Sequence, residues 1–400
     1  MTLFYPSVPL GRAMRNLAAR WRRGLLLLLL LGAGNAWSQA TPPSEPRDAD
    51  RVLTLDEALR IFRTRGFDLL IADTAVESAQ GDVIIAGARA NPQISLSRGM
   101  SANYDPRLCA GCSNVSVSVS LSDPTTISDL FSGKRRLRLD VARAALSSLR
   151  FSRADVERML EVQVKQQLLQ AQLAKASLSF ARRAEASAAQ TLDLIEKRYR
   201  AGAVSEADVA RAEIQKLEAE QAVATSQQAL DTSKAALAFL LGERSGQSGV
   251  EVGDDLVRSR MPAKLADLSR EALLRDALEN RPDLRAIRAQ VERARSALDL
   301  ARRLRVPDVS PSLQFSEEGS GQNAIQPPTV TLGVSMALPV LYRYRGEIAK
   351  AEADLRSQTL QQRKIEAQVA SDVSAAFAAY QGSRERVGRM EGRLLDRAQR

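Results

Sequence analysis

Histidine is missing altogether from these 400 residues. Its absence removes imidazole general bases, Ser-His-Asp and Cys-His nucleophiles, and every zinc site that needs an imidazole ligand. Only two cysteines are present, too few for a four-thiolate metal site within one chain. Aromatic residues make up 4% of the chain. That is thin for one large close-packed globule and suits Ala-rich helices packing at close range. No glycine-rich phosphate cradle appears, and no isolated acid pair stands out from helix surface charge. The composition therefore argues against an enzyme, and no catalytic residue, cofactor or metal site is read from it.

A clustered basic patch is lacking too. The formal net charge is +10, but Arg12, Arg15, Arg20, Arg22 and Arg23 lie in residues 1–38, where there is no acid. Without those five the 57 basic residues fall to 52 against 47 acidic, a net of +5. The remaining charge is interspersed along helices, so nucleic acid is not an expected partner. The basic stretch ends at Arg23 and is followed by an unbroken leucine run, Leu25 to Leu31. Small residues at Ala36-Trp37-Ser38 then suit a secretory signal over 1–38, with a cut after Ser38 or, as second choice, Ala40. The alternative, a membrane anchor, needs roughly 20 apolar residues. No cysteine follows the cut, so lipidation there is not expected. An exported product enters an oxidising compartment.

What is present is an internal repeat. Asp68-Leu69 recurs as Asp283-Leu284, an offset of 215. Asn91-Pro92 recurs as Val306-Pro307, Ser95 as Ser310 and Pro124 as Pro339, all at 215. The run Val115–Ser120 (VSVSVS) recurs as Val330–Ser335 (VTLGVS) at the same offset. One repeat is read over 50–242 and the second over 264–400. A glycine-rich linker is read over 243–263, after a helix cap at Gly242.

Each half opens with a predicted helix, about 54–90 and 268–305. Thr54 and Ser269 are candidate N-caps, and Pro92 and Pro307 follow the ends. Two strands follow in each, within about 93–122 and 308–338. In them Val117, Val119 and Leu121 alternate with Ser118, Ser120 and Ser122, and Leu313 and Phe315 with Ser312, Gln314 and Ser316. Period-2 alternation gives one apolar and one polar face. An ordinary half-buried sheet would do the same. Small hydroxyl residues in place of Lys or Glu suit a wet lumen opposite lipid.

A helix is predicted over about 128–200, on the order of 100 Å long. Ala201-Gly202-Ala203-Val204 breaks it, and a return helix follows over 205–241. The two shorter helices, 54–90 and 205–241, stacked end to end would match the long one. Apolar residues at helical spacing, with Ala and Gln between, suit a coiled coil with small knobs.

Four strands cannot close a membrane barrel, because open edges are not tolerated in lipid. Three copies bring 12 strands and enclose a channel. The physical reading is a passive conduit, with hydroxyl side chains lining one end and polar helix faces the other.

These features resemble the outer-membrane efflux proteins, the TolC-like outer-membrane factors of tripartite pumps. The duplicated helix–strand–strand–helix plan carries the resemblance. So do the segment Tyr199-Arg-Ala-Gly202-Ala-Val204-Ser205-Glu-Ala-Asp208-Val, similar to the family's Y-x-x-G turn between coiled-coil helices, and the close at Ala238-Phe-Leu-Leu-Gly242. The resemblance implies a mainly α fold with β. A long α-helical coiled-coil barrel joins a four-strand contribution to a trimeric 12-stranded transmembrane β-barrel. It implies a homotrimer in outer-membrane lipid, extending into the periplasm. Its partners would be a periplasmic adaptor (membrane fusion) protein and an inner-membrane transporter. Metal cations or small toxic compounds are the implied cargo, with the heavy-metal cation branch leading.

By the same resemblance, Gly202, Ala203, Val204 and Ser205 match the periplasmic tip that meets the adaptor. A plain helix connection is the alternative. Asp208 matches a tip aspartate that ties neighbouring coils in the closed state, with a solvated helix-start acid as the alternative. Cys109 and Cys112 fall in a loop that is external in the family. A short-range disulfide is the preferred reading there, with two free thiols as the alternative. At the 215 offset the second tip would fall near 414, beyond Arg400, so the second hairpin is expected to be incomplete in this sequence. A type I secretion channel, a periplasmic adaptor and a plain periplasmic coiled coil stand as competing readings. The repeated strand pairs argue against the last two.

Overall fold

The computed structural model describes residues 52–100, 115–243, 251–253, 269–318 and 326–390. The signal reading and the Cys109–Cys112 bridge lie outside them.

Each repeat does open with helix, but each opening helix is broken in two. In the first, α1 (Leu55–Arg65) and α2 (Phe67–Gly87) meet at Gly66. A Cβ at Gly66 would lie 2.7 Å from both the backbone oxygen and the ring of Phe62, so a larger residue would displace that buried ring. In the second, α6 (Arg270–Asn280) and α7 (Pro282–Arg303) meet at Arg281, which is extended (φ −60°, ψ 128°). Pro282 disfavours helix at the preceding residue. Residues 66 and 281 are 215 apart, so the break belongs to the repeat. Thr54 accepts from Glu57 N–H and Ser269 from Ala272 N–H, the caps expected of both.

The predicted long helix starts later than expected. A short helix α3 (Thr126–Ser132) ends at Gly133, which is left-handed (φ 69°). The 67-residue α4 (Lys134–Arg200) follows and spans about 100 Å. After the tip, α5 (Glu206–Leu240) runs back along α4. The second repeat has no counterpart of α3. Its long helix α8 (Arg345–Arg389) follows Tyr344, also left-handed (φ 55°). The left-handed residue thus recurs 211 residues on, four short of the repeat.

The main core lies where four helices meet. Phe62 of α1, Leu69 of α2, Val164 and Leu168 of α4, and Leu237 of α5 are buried together. Two short strands join them, β1 (Val52–Leu53) and β4 (Glu251–Val252), paired in parallel. Val252 is fully buried. The segment read as a linker therefore carries a core residue. Gly242 ends α5 at φ 80°, and a Cβ there would lie 2.1 Å from the Arg65 carbonyl oxygen. No other residue allows the ends of α5 and α1 to approach so closely along α4. The expected end-to-end stacking is present.

Strands β2 (Gln93–Met100), β3 (Val115–Ser122), β5 (Val309–Glu318) and β6 (Gln326–Met336) form one antiparallel sheet in the order β2-β3-β5-β6. A polar junction ties it to the helices. Asp123 accepts from the N–H groups of Thr126 and Ile127 at 3.2 and 2.8 Å, capping α3. Just ahead of β5, Asp308 accepts from Lys134 Nζ at 2.9 Å and Ser128 Oγ at 2.8 Å. Arg303 Nε donates to the Ser132 carbonyl at 2.5 Å. Partial burial alone would raise the Asp308 pKa, but the bonds from Lys134 and Ser128 outweigh it and hold it below the usual carboxylate range.

Because that pKa is lowered on folding, the pair stabilises above the ordinary carboxylate pKa and the effect fades as pH falls through the lowered value. Lys134→Met should destabilise by about 1–2 kcal/mol at pH 7, between exposed and buried ion pairs, because Lys134 is only 5% exposed but Asp308 is 43% exposed. Thermal unfolding in detergent checks this. The gap from the unsubstituted protein should shrink towards pH 3, and a pH-independent gap would contradict it.

Candidate functional site

The four-stranded sheet has two chemically distinct faces, and its register carries each across every strand. One row pairs Ser97, Ser118, Ser316 and Thr329. The next pairs Ser95, Ser120, Gln314 and Thr331. Ser97 and Ser118 hydrogen-bond through their hydroxyls at 2.7 Å. Neither of these two rows carries a charge.

On the opposite face one row pairs Leu96, Val119, Phe315 and Val330, and another Ile94, Leu121, Leu313 and Leu332. These side chains are exposed in the single chain, from Val119 at 37% to Leu332 at 78%. Covering a side chain of this kind is worth about 1.5–3 kcal/mol, so eight of them leave a large unrealised driving force. The strands are 8 to 11 residues long, close to the roughly 9–11 that a tilted strand needs to cross a bilayer. Arg98 and Glu317 share this face in one row through Val117. That row lies towards the end remote from the helices, and the apolar pair Met100 and Val115 follows beyond it. No helix among the described residues is long and apolar enough to cross a membrane.

Both edges are open. No strand lies beside β2 or β6 among the described residues. In hydrocarbon, unpaired backbone groups cost several kcal/mol each. The apolar face therefore calls for lipid while the edges forbid entry as a single copy.

At the far end of α4, the tip is built from local capping. Gly202 (φ 72°) donates to the Tyr199 carbonyl at 2.8 Å, and Ala203 to the Arg198 carbonyl at 2.9 Å. This pair of bonds closes a helix with a left-handed residue. Ser205 then opens α5. Asp208, three residues on, accepts from the Ser205 N–H at 3.1 Å and its hydroxyl at 2.7 Å, and from Arg211 at 2.8 Å. The Ser205 bonds hold the Asp208 carboxyl below the usual carboxylate range. Within one chain Asp208 thus caps the start of α5. Gly202, Ala203 and Ser205 are exposed and Val204 is half-buried. The tip and the sheet lie at opposite ends of α4. Among the described residues no group of three or more acidic residues is arranged to hold a metal ion.

The Outer membrane efflux protein family model matches residues 59–243 and 273–400. The cobalt-zinc-cadmium resistance protein CzcC of Cupriavidus metallidurans is 25% identical over 310 residues, 77% of this chain and 68% of that protein. The pyoverdine export outer membrane protein OpmQ of Pseudomonas putida is 27% identical over 364 residues, 86% of this chain and 74% of that one. The fold matches the transmembrane channel CusC with a TM-score of 0.68 at 18% identity, over 90% of this chain and 82% of that one. It matches VceC, an outer membrane protein of Vibrio cholerae, with a TM-score of 0.65 at 21% identity, over 86% of this chain and 83% of that one. The adaptor and coiled-coil readings fall with these matches. A duplicated plan of helices and paired strands, a sheet apolar on one face and hydroxyl-lined on the other, and a family match over most of its length make this chain a member of the outer membrane efflux protein family.

Proposed function

We propose that the chain is the outer-membrane conduit of a tripartite efflux system. Three copies close one 12-stranded barrel in the outer membrane, and the helices carry the channel into the periplasm. The observation that carries this reading is the sheet, with hydroxyls across all four strands on one face, apolar residues on the other and open edges on both sides. Water on the hydroxyl face and lipid on the apolar face satisfy both at once. Transport is passive, and the inner-membrane transporter supplies the energy.

The tip over Gly202–Ser205 is the contact for a periplasmic adaptor. Its backbone is set by internal hydrogen bonds, so it offers a preformed surface that loses little freedom on docking. Asp208 adds a link between neighbouring coils, made when Arg211 exchanges its intrachain contact for one across the seam. Metal cations lead as cargo, supported by the relative named for cobalt, zinc and cadmium resistance. A small organic metal chelator is the second reading, favoured by the relative named for pyoverdine export.

Purified protein should give stepwise conductance in planar bilayers, and restoring its gene to a strain lacking it should raise tolerance to cobalt, zinc and cadmium salts. Insertion without conductance would overturn the conduit, and conductance with unchanged tolerance would move the cargo to the second reading. At the tip, Gly202→Val forces a β-branched residue into a left-handed conformation. It should cost at least about tenfold in adaptor capture, measured with the cognate adaptor, while conductance persists. Unchanged capture would remove the tip from the interface.

A further inference from the structure

The internal repeat is also a geometric rule, and it can be carried past the edge of the chain. Shifting both strands of the first hairpin by 215 reproduces the second. Paired Ser97 and Ser118 become Ser312 and Gly333, which are paired, and paired Ile94 and Leu121 become Val309 and Met336, which are paired. The two hairpins thus share one register. Between them β3 meets β5, pairing Val119 with Phe315 and Leu121 with Leu313. This is the only seam between repeats that a single chain can show.

Burial says that the same seam is missing elsewhere. β3 and β5, which flank the seam, alternate between half-buried and exposed or are largely half-buried. Their repeat counterparts β6 and β2 are almost entirely exposed. Beyond β3, residues 123–126 are half-buried and the Asp123 N–H bonds to the Pro311 carbonyl of β5 at 3.1 Å. Beyond β6, the counterpart Leu338 is exposed, as are Val340 and Leu341. The helices repeat the pattern. Ala286 of α7 is 8% exposed, with the Ser148 hydroxyl of α4 donating to its carbonyl at 3.0 Å. Its counterpart Ile71 of α2 is 65% exposed. By contrast Leu69 and Leu284, which are also counterparts, are both buried. What differs is the face that the other repeat covers.

We infer that a second copy of this chain fills the missing seam in the register of β3 on β5, its β2 pairing with β6. This rests on the oligomeric-barrel reading above and adds its register. Applying the 215 shift to the seam, Val334 pairs with Met100 of the next copy, Ser335 with Gly99, and Met336 with Arg98. The Leu338 N–H takes the place of the Asp123 N–H and donates to the neighbour's Leu96 carbonyl. Faces are conserved, because Val334, Met336, Met100 and Arg98 belong to the apolar face and Ser335 and Gly99 to the hydroxyl face. A slip of one residue would turn hydroxyls to lipid along the whole strand. Ile71 then lies under the α8 of the neighbour, as Ala286 lies under α4.

Cysteine pairs read the register directly. In a background with Cys109 and Cys112 replaced by Ser, Met100→Cys with Val334→Cys should oxidise to reducible dimers and trimers. Within one chain these positions sit on opposite edges, three strand spacings across and about eight residues along the strands, about 30 Å apart, beyond the roughly 7 Å limit for a disulfide. The bond must therefore join copies. Met100→Cys with Leu332→Cys, and Met100→Cys with Met336→Cys, are each two residues out of register and should cross-link at least about tenfold less. Leu96→Cys with Leu338→Cys gives an independent pair at the base. Equal or stronger cross-linking in a shifted pair would overturn the register and leave the barrel standing. A trimeric mass in detergent with no cross-link in any pair would also overturn it. A monomeric mass from the membrane fraction would remove the barrel reading itself, together with the seam.

Discussion

A backbone amide or carbonyl in hydrocarbon has to be hydrogen-bonded, and the rest of this molecule is arranged around that requirement. The four strands present a continuous apolar face that gains only by meeting lipid. Their outermost strands lack partners in the chain itself. Neither feature is a defect once the sheet is one part of a closed ring. The hydroxyl rows then face inward together, and the alternation of Ser with Val or Leu becomes a division between water and lipid.

The helical part solves a different problem, a reach of about 100 Å with few large side chains. One unbroken helix, α4, spans the distance, and two shorter pieces cover it from either end. Where those pieces meet, the core is densest, and Gly242 lies against the Arg65 carbonyl closer than any Cβ would permit. Elsewhere along α4 the packing thins to Ala174, Leu178 and Leu230, small knobs that leave other faces for neighbouring helices. At the junction with the sheet the chemistry turns polar. Asp308, Lys134 and Ser128 join the start of β5 to the α3–α4 break, so the strand cannot tilt without moving the long helix.

Much of this was legible from one sequence because the repeat is carried by pattern as well as identity. The offset of 215, found from pairs such as Pro124 and Pro339, is the offset that relates the two hairpin registers. The tip was legible for a local reason: Gly202, Ser205 and Asp208 close one helix and open the next without help from the rest of the fold. The helix breaks at Gly66 and Arg281 were missed. A lone glycine inside a helical pattern is a weak signal, because its meaning here comes from the ring of Phe62 folded against it. Pro282 was a stronger one and marks Arg281 through its steric effect on the preceding residue. Strand β4 could not be found by periodicity, since two residues have none. The four-residue slip before Tyr344 follows from the absence of a second α3, which no repeat spacing announces. The roles of the tip and Asp208 in assembly depend on chains beyond this one.

The central claim is that alternate residues of one strand face lipid and water. Spin labels at Val334 and Ser335, placed one at a time in the protein reconstituted in liposomes, test it most directly. The label at 334 should be relaxed by oxygen, which concentrates in the bilayer, and shielded from a water-soluble nickel chelate. The label at 335 should show the reverse. Equal access of both labels to the chelate would mean that β6 lies in water on both faces, contradicting the account.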